Sequence, residues 1–211
     1  APTTRVQLPS FWMDRREVSN AEYEQCVASG NCAVRRLWEC TRPTDGGRQP
    51  VDDPAPYLDP DQPAVCVSQG EAAGYCFLRG ARLPSRSEWE KAARGTDGRR
   101  HPWGNDPPSC ERGNFSSCGH TAGERVGSYP DHPSPFGALD LAGNVAEWVM
   151  PDVGPDGMYE QGHDAEVRGG HFASAPVQLR AAARMFLPST QERRVEVGFR
   201  CAADPDRAHS R

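Results

Sequence analysis

Cysteine is the residue type whose number and spacing indicate most about the chemistry of this sequence. Eight cysteines are present, and no two form the Cys-x-x-Cys pair that is typical of zinc ribbons and thioredoxins. An even number of widely spaced cysteines favours disulfides, and hence an extracytoplasmic location such as a periplasm, a cell surface or a secretory lumen. A cytosolic protein with buried thiols is the alternative. Spacing alone leaves the pairing open.

The segment from Asp140 to Glu147 offers a second kind of chemistry. It reads Asp-Leu-Ala-Gly-Asn-Val-Ala-Glu, so two carboxylates flank a turn that contains glycine. Together with the backbone carbonyls of Gly143 and Val145, these oxygens suit one calcium ion, which prefers hard oxygen ligands. The alternative is a turn capped by Asp140, with Glu147 in a salt bridge.

Nucleophilic catalysis has weaker support. Ser174 and His171 are three residues apart, but no acidic residue stands in position to orient the imidazole. A lone histidine beside Phe172 is more typical of a hydrogen-bonded pocket lining than of a metal ligand. The sequence also lacks a Gly-x-Ser-x-Gly elbow, a phosphate-binding loop and a His-x-x-x-His-x-Glu iron motif.

Composition excludes several classes of protein. The formal net charge is −5 and arginine pairs are dispersed, whereas a nucleic-acid-binding face needs clustered positive charge. No apolar run approaches the roughly 18 residues of a membrane span, so we expect a soluble chain. The 21 glycines and 20 prolines predict much irregular structure. A single lysine against 23 arginines indicates a GC-rich bacterial genome.

Three Ser-x-x-Glu capping boxes predict the helices that position these residues. They lie at residues 19–22, 68–71 and 85–88, and each is followed by apolar residues at helical spacing. A glycine about ten residues further on closes each predicted helix. These glycines are Gly30, Gly80 and Gly95.

Strand signals are brief and dispersed between long loops. The predicted strands are residues 5–8, 11–14, 65–67, 166–168 and 195–201. The loops rich in Pro, Gly and Asp are residues 41–63, 96–113 and 150–164. We expect one α+β domain over residues 1–211, with most aromatic side chains in its core. These aromatic residues are Phe11, Trp12, Trp89, Trp103, Trp148 and Phe172.

The order of motifs resembles that of the formylglycine-generating enzymes, the sulfatase-modifying factor family. The resemblance covers nearly the whole chain, in order. Its most specific motifs are Glu-Val-Ser-Asn-Ala-Glu-Tyr at 17–23, Arg-Leu-Pro-Ser at 82–85, Pro-Trp-Gly-Asn at 102–105, Gly-Asn-Val-Ala-Glu-Trp at 143–148, Arg-Gly-Gly at 168–170 and Gly-Phe-Arg-Cys at 198–201.

The resemblance implies a C-type-lectin-like variant fold that is rich in loops, and a disulfide between Cys76 and Cys201. It also implies calcium at Asp140, Gly143, Val145 and Glu147. A first calcium site would use Asn114 and the Phe115 carbonyl, but no acidic partner stands between residues 116 and 121. The other disulfide pairings rest on short sequence separation, which favours Cys26–Cys32 and Cys110–Cys118 and leaves Cys40–Cys66.

Active members of the family oxidise a substrate cysteine to formylglycine with a cysteine pair that binds copper. Ser174 occupies the first of these positions here, and Leu179 the position five residues further on. No cysteine lies between residues 119 and 200. A serine hydroxyl is hard and has a far higher pKa than a thiol, so it does not replace a thiolate on Cu(I). We therefore do not expect copper in this chain.

These observations favour a noncatalytic extracytoplasmic module that binds a peptide, a glycan or a partner protein, or that has a structural role. Loops on a rigid scaffold suit recognition. The predicted cleft is lined by Trp103, His171, Phe172 and Ser174, with Arg184 beneath it. The alternative is an enzyme, either a sulfatase-maturation oxidase with altered ligands or a family member with divergent chemistry.

Overall fold

The computed structural model describes residues 6–154, 158 and 164–205. Within them the three predicted helices are confirmed as α1 (Asn20–Ala28), α2 (Gln69–Leu78) and α3 (Arg86–Arg94). In each helix the N-cap serine accepts from the backbone N–H of a glutamate three residues on. That glutamate's carboxylate in turn accepts from the serine N–H. The closing glycines all have positive φ, a conformation that costs glycine little.

The strands of the described residues are short and form three sheets. They are β1 (Trp12–Met13), β2 (Thr41–Thr44), β3 (Gly47–Pro50), β4 (Ala146–Trp148), β5 (Glu166–Arg168), β6 (Met185–Phe186), β7 (Val197–Gly198) and β8 (Ala202–Ala203). The four-stranded sheet has the order β6-β5-β4-β7, in which only the β4–β7 pair is parallel. β1 pairs antiparallel with β8, and β2 with β3.

The strand predictions are only partly confirmed. The strand at 166–168 is confirmed, and the segments 11–14 and 195–201 contain β1 and β7. The strand at 65–67 is wrong, because Cys66 has φ 61° and turns the buried chain instead of extending it. Residues 6–8 form no strand, and residue 5 lies outside the described residues.

The loop predictions also need one correction. Residues 41–50 form the β2–β3 hairpin, so the predicted loop over 41–63 is wrong there. Of the predicted loop at 150–164, residues 155–157 and 159–163 lie outside the described part of the chain. The described chain is otherwise an α+β structure in which irregular segments predominate, as predicted.

The main core joins α1, α2 and the central sheet. Tyr23 stacks on Tyr75 at 5.7 Å between ring centroids, and Phe199 meets both rings edge-on. Trp148 is fully buried and donates from its indole N–H to the Val67 carbonyl at 3.0 Å. Among the aromatic residues predicted to be core, Trp89, Trp148 and Phe172 are buried, whereas Phe11 and Trp103 are half-buried and Trp12 is 59% exposed.

All eight cysteines lie in the described part of the chain and form four disulfides. The pairs are Cys26–Cys32, Cys40–Cys66, Cys76–Cys201 and Cys110–Cys118, so every predicted pairing is confirmed. The Cys76–Cys201 disulfide ties α2 to the segment between β7 and β8. Across the described residues, no helix has the length and apolar character needed to cross a bilayer.

Candidate functional site

The Arg-Gly-Gly turn at residues 168–170 brings the chain from β5 to Ser174. Both glycines have positive φ, and both approach large side chains closely. A Cβ on Gly169 would lie 3.1 Å from the Trp89 ring, and one on Gly170 would lie 3.0 Å from Leu179. Glycine is therefore required here by conformation and by space.

Ser174 has a structural role in the turn that follows. Its hydroxyl oxygen accepts from the His171 backbone N–H at 3.0 Å, and its own backbone N–H donates to the His171 carbonyl at 2.8 Å. The side chain is almost completely buried. Because the hydroxyl bonds the backbone of His171 and not its imidazole, these two residues do not form a nucleophile–base pair.

Leu179 lies five residues after Ser174, at the position that the resemblance compares with the second cysteine of active members. It is fully buried and packs against Phe115 and Ala142. The cavity that Ser174 lines beside it measures about 30 Å³. Ligand sites typically measure roughly 300–1,000 Å³, so this cavity has room for little more than water.

The five predicted cleft residues do not share one cavity. Ser174 and the exposed Arg184 line the cavity just described. Trp103 instead stacks on His101 at 5.0 Å and donates to the Asp106 carbonyl. Phe172 lies in a separate buried cluster with the Cys40–Cys66 disulfide.

His171 is buried, and its surroundings keep it neutral. Its Nδ1 accepts from the Ala173 backbone N–H at 3.2 Å. Burial is the main cause of a pKa lowered to about 4, against the ordinary 6.5. The imidazole is therefore a neutral acceptor within the turn, and its role as a lining residue of a ligand cleft stays a prediction.

Both carboxylate oxygens of Glu147 accept hydrogen bonds from other side chains of the protein. It accepts from Arg200 at 2.7 and 2.8 Å, and from the Trp89 indole N–H at 2.8 Å. Glu147 and Arg200 are both completely buried. This is the salt-bridge arrangement left open by the sequence, and it does not fit Glu147 as a calcium ligand, because a cation there would face a guanidinium at close range.

Asp140 lies in a buried acidic pair with Glu17, a residue that sequence reasoning missed. One Asp140 oxygen accepts from the Gly127 N–H, and Glu17 accepts from the Asn144 side-chain amide at 2.9 Å. The other oxygen of each carboxyl has no hydrogen-bond partner among the described residues, and the two groups are close enough for the charge of Asp140 to act on Glu17. Burial and the neighbouring Asp140 raise the pKa of Glu17 well above its usual value.

The remaining predicted calcium ligands are only partly engaged by the protein, because the buried Oδ1 of Asn114 has no partner among the described residues. Asn114 donates to the Ala122 carbonyl at 3.0 Å, and the Phe115 carbonyl accepts from Cys118. Gly143 packs so closely on the Asn114 backbone that a Cβ would come within 2.3 Å of its oxygen. Val145 is buried. Among the described residues, no three acidic, His or Cys side chains are arranged so that they could hold a metal ion. Calcium stays a prediction.

Comparison with known proteins gives the family. The model of the sulfatase-modifying factor enzyme 1-like domain matches residues 1–205. Hercynine oxygenase of Mycolicibacterium thermoresistibile is 30% identical over an alignment of 248 positions, covering 100% of this chain and 54% of that protein. The inactive C-alpha-formylglycine-generating enzyme 2 of Mus musculus is 33% identical over 160 positions, covering 69% of this chain and 50% of that protein.

A solved structure agrees with the sequence matches. PvdO from Pseudomonas aeruginosa superposes with a TM-score of 0.71 and 25% identity, covering 92% of this chain and 80% of that one. This likeness confirms the fold implied by the motifs. The chain spans about half the length of these two curated relatives. The family model and the motif order agree along the sequence, and the chain belongs to the sulfatase-modifying factor enzyme 1-like domain family.

Proposed function

We propose that this chain is a noncatalytic member of its family and serves as an extracytoplasmic binding or structural module. One observation carries the proposal. The two positions where active members hold copper through sulfur are occupied by Ser174 and Leu179, both buried and engaged in the turn, beside a cavity of only about 30 Å³. Such a site offers neither the ligands nor the space for formylglycine chemistry.

The cysteines that remain do not supply a substitute. All eight are in disulfides, and a disulfide sulfur does not act as the thiolate that Cu(I) requires. The four disulfides also support the extracytoplasmic location. A relative described as inactive, from Mus musculus, is consistent with loss of catalysis within this family.

The competing function is an enzyme with divergent chemistry. It is favoured by one specific observation, the 30% identity to a protein named as a hercynine oxygenase. Against it, the sequence lacks the His-x-x-x-His-x-Glu iron motif. A peptide, a glycan or a partner protein is the ligand class that we propose for the module.

Two measurements on the oxidised protein test the proposal. We expect no stoichiometric Cu(I) binding in competition with a chromophoric chelator, and no formylglycine in a Cys-x-Pro-x-Arg peptide by mass spectrometry. A double variant, Ser174→Cys with Leu179→Cys, is the matched comparison. If only this variant binds Cu(I), the missing cysteine sulfurs account for the loss of copper binding. Turnover by the unmodified chain would overturn the proposal.

A further inference from the structure

A second and much larger cavity lies away from the Arg-Gly-Gly turn. It measures about 830 Å³ and lies between residues 8–13, helix α3 and the loop at 133–138. We call it the Trp12–Lys91 cavity. Its volume falls within the range of sites that hold small molecules, whereas the cavity beside Ser174 is far below that range.

The walls of this cavity are apolar and open to solvent. Trp12 and Phe136 line it and are 59% and 61% exposed, while Met13, Ala92 and Ala138 are more buried. Two large aromatic side chains left in water at a concave surface are unusual for a protein with a filled core. Covering their faces with a ligand would remove apolar area from water, which is favourable.

Two cations also line the cavity, and no carboxylate does. They are Arg15 and Lys91, the single lysine of a chain whose net charge is −5. The Lys91 ammonium lies 5.7 Å from the centre of the Phe136 ring, and Arg15 donates from Nε to the Gly137 carbonyl at 3.2 Å. Within the described residues neither side chain has an acidic partner, in contrast to most arginines of the chain.

The backbone around the cavity is well fixed. β1 pairs with β8, and the Asp14 N–H donates to the Cys201 carbonyl at 2.8 Å. The Arg15 carbonyl accepts from Leu139 at 2.7 Å and from Arg200 at 3.0 Å. A site built on fixed backbone loses little entropy when it binds a ligand.

We propose that the Trp12–Lys91 cavity binds a small amphipathic carboxylate. The aromatic or aliphatic part of the ligand contacts Trp12 and Phe136, and its carboxylate pairs with Lys91 or Arg15. A small molecule fits better than an anionic membrane, because segments that bind anionic lipids typically carry clusters of about four or more basic residues. The inference rests on the proposed function only in treating the chain as a binding module, and the small carboxylate is a ligand in addition to the peptide, glycan or partner protein proposed above.

The test compares an acid with its uncharged analogue. The probes are naphthalene-2-carboxylate and 2-naphthylmethanol, titrated by calorimetry against the oxidised chain. We expect the acid to bind one site per chain, about tenfold or more tighter than the alcohol, because only the acid pairs with a cation. Binding of the acid should also protect Lys91 from reductive methylation, which mass spectrometry detects at the only lysine in the chain.

Variants separate the two parts of the site. Lys91→Gln and Arg15→Gln should lower the affinity for the acid by about fivefold to tenfold and leave the affinity for the alcohol unchanged. Trp12→Ala should lower the affinity for both probes. Arg180→Gln is the control for Arg15, because Arg180 is exposed and also donates from Nε to a carbonyl, at 3.0 Å. Trp38→Ala, at a tryptophan that is 73% exposed, is the control for Trp12.

Several results would overturn the inference. They are no binding of the acid, equal affinity for acid and alcohol, or equal effects of the test and control variants. Preferential binding to phosphatidylglycerol vesicles, lost in Trp12→Ala, would instead assign the surface to a membrane. These readouts do not involve turnover. Formation of formylglycine by the chain would therefore overturn the proposed function and leave this test intact. Failure of the chain to bind the acid would overturn this inference and leave the proposed function intact.

Discussion

At the scale of single residues, the most consequential feature is a buried cluster of three carboxyl groups and one guanidinium. Glu17, Asp140, Glu147 and Arg200 are all almost completely excluded from water. Arg200 compensates Glu147 directly. If the other two carboxyls were both ionised, two buried negative charges would remain, so a proton held by Glu17 stabilises the cluster.

Glu17→Gln should therefore stabilise the protein at neutral pH. The amide oxygen still accepts from Asn144, and the amide N–H faces Asp140 without a change of charge. The pKa of Glu17 is raised on folding, so its stabilising contribution is present below the unfolded value near 4.5 and is lost as pH rises. We expect the variant to gain about 1–3 kcal/mol in the free energy of unfolding at pH 7.5, and little near pH 4, by urea denaturation.

The same variant tests the calcium prediction. If Glu17 holds a proton beside Asp140, adding calcium or a chelator leaves the melting temperature of the unmodified chain unchanged. An ion bound at Asp140 requires the opposite, namely a fall in melting temperature on chelation and a less stable Glu17→Gln protein. That pair of results would contradict the prediction that Glu17 is protonated in the folded chain.

His171 predicts a second dependence on pH, of opposite sign. Its pKa is lowered to about 4 in the folded chain, so its contribution is present above the unfolded value of 6.5 and is lost as pH falls toward 4. His171→Asn keeps an acceptor for the Ala173 N–H and does not titrate. Between pH 6.5 and 4 the unmodified chain should lose up to about 3 kcal/mol more stability than the variant. Parallel pH profiles would rule out a buried neutral imidazole.

At the scale of elements, short helices and strands are held in place by covalent and capping interactions. Each helix starts at a serine whose capping box satisfies backbone N–H groups locally. α2 is joined to the end of the chain by Cys76–Cys201, which spans 125 residues, whereas Cys26–Cys32 spans 6. The entropy that each disulfide removes from the unfolded chain by closing a loop is therefore much larger for Cys76–Cys201 than for Cys26–Cys32.

Removing these two disulfides should have unequal effects. Cys76→Ala with Cys201→Ala is expected to lower the free energy of unfolding by about 4–5 kcal/mol, because closing the longer loop restricts the unfolded chain more. Cys26→Ala with Cys32→Ala is the control and is expected to cost about 2 kcal/mol. Denaturant unfolding of both oxidised variants measures the difference. Equal losses would show that chain entropy does not determine the contribution of these disulfides.

At the scale of the whole molecule, four disulfides hold together a structure made largely of irregular segments. Long loops have few hydrogen-bonded partners of their own, so covalent links reduce the entropy that folding must overcome. This architecture suits an oxidising compartment, where thiols pair and stay paired.

The native protein should therefore contain no reactive thiol. Alkylation in denaturant without reductant is expected to modify no cysteine, and alkylation after reduction to modify all eight, as counted by mass spectrometry. Export to a periplasm should yield a chain that unfolds cooperatively, and synthesis in a reducing cytosol should not. A fully reduced chain with the same melting temperature would remove the argument for location.

Features that depend on neighbours in the chain were predictable from the residues alone. A capping box joins residues three apart, so α1, α2 and α3 were predictable from their serines and glutamates. The order of motifs indicated the family and the fold, and the absence of cysteine after residue 118 up to Cys201 was visible directly. Short sequence separation also favoured two of the four disulfides.

Features that depend on residues far apart in the chain became visible only in the folded molecule. Glu147 meets Arg200 across 53 residues, and Glu17 meets Asn144 across 127, so neither pairing leaves a local pattern. The apolar run at 65–67 predicted a strand, but Cys66 is held in a turn by its disulfide with Cys40. Trp12 was expected in the core, and packing instead left it beside Lys91 on an open cavity. Burial and charge pairing act through space, so a linear pattern records which groups are available and not which of them meet.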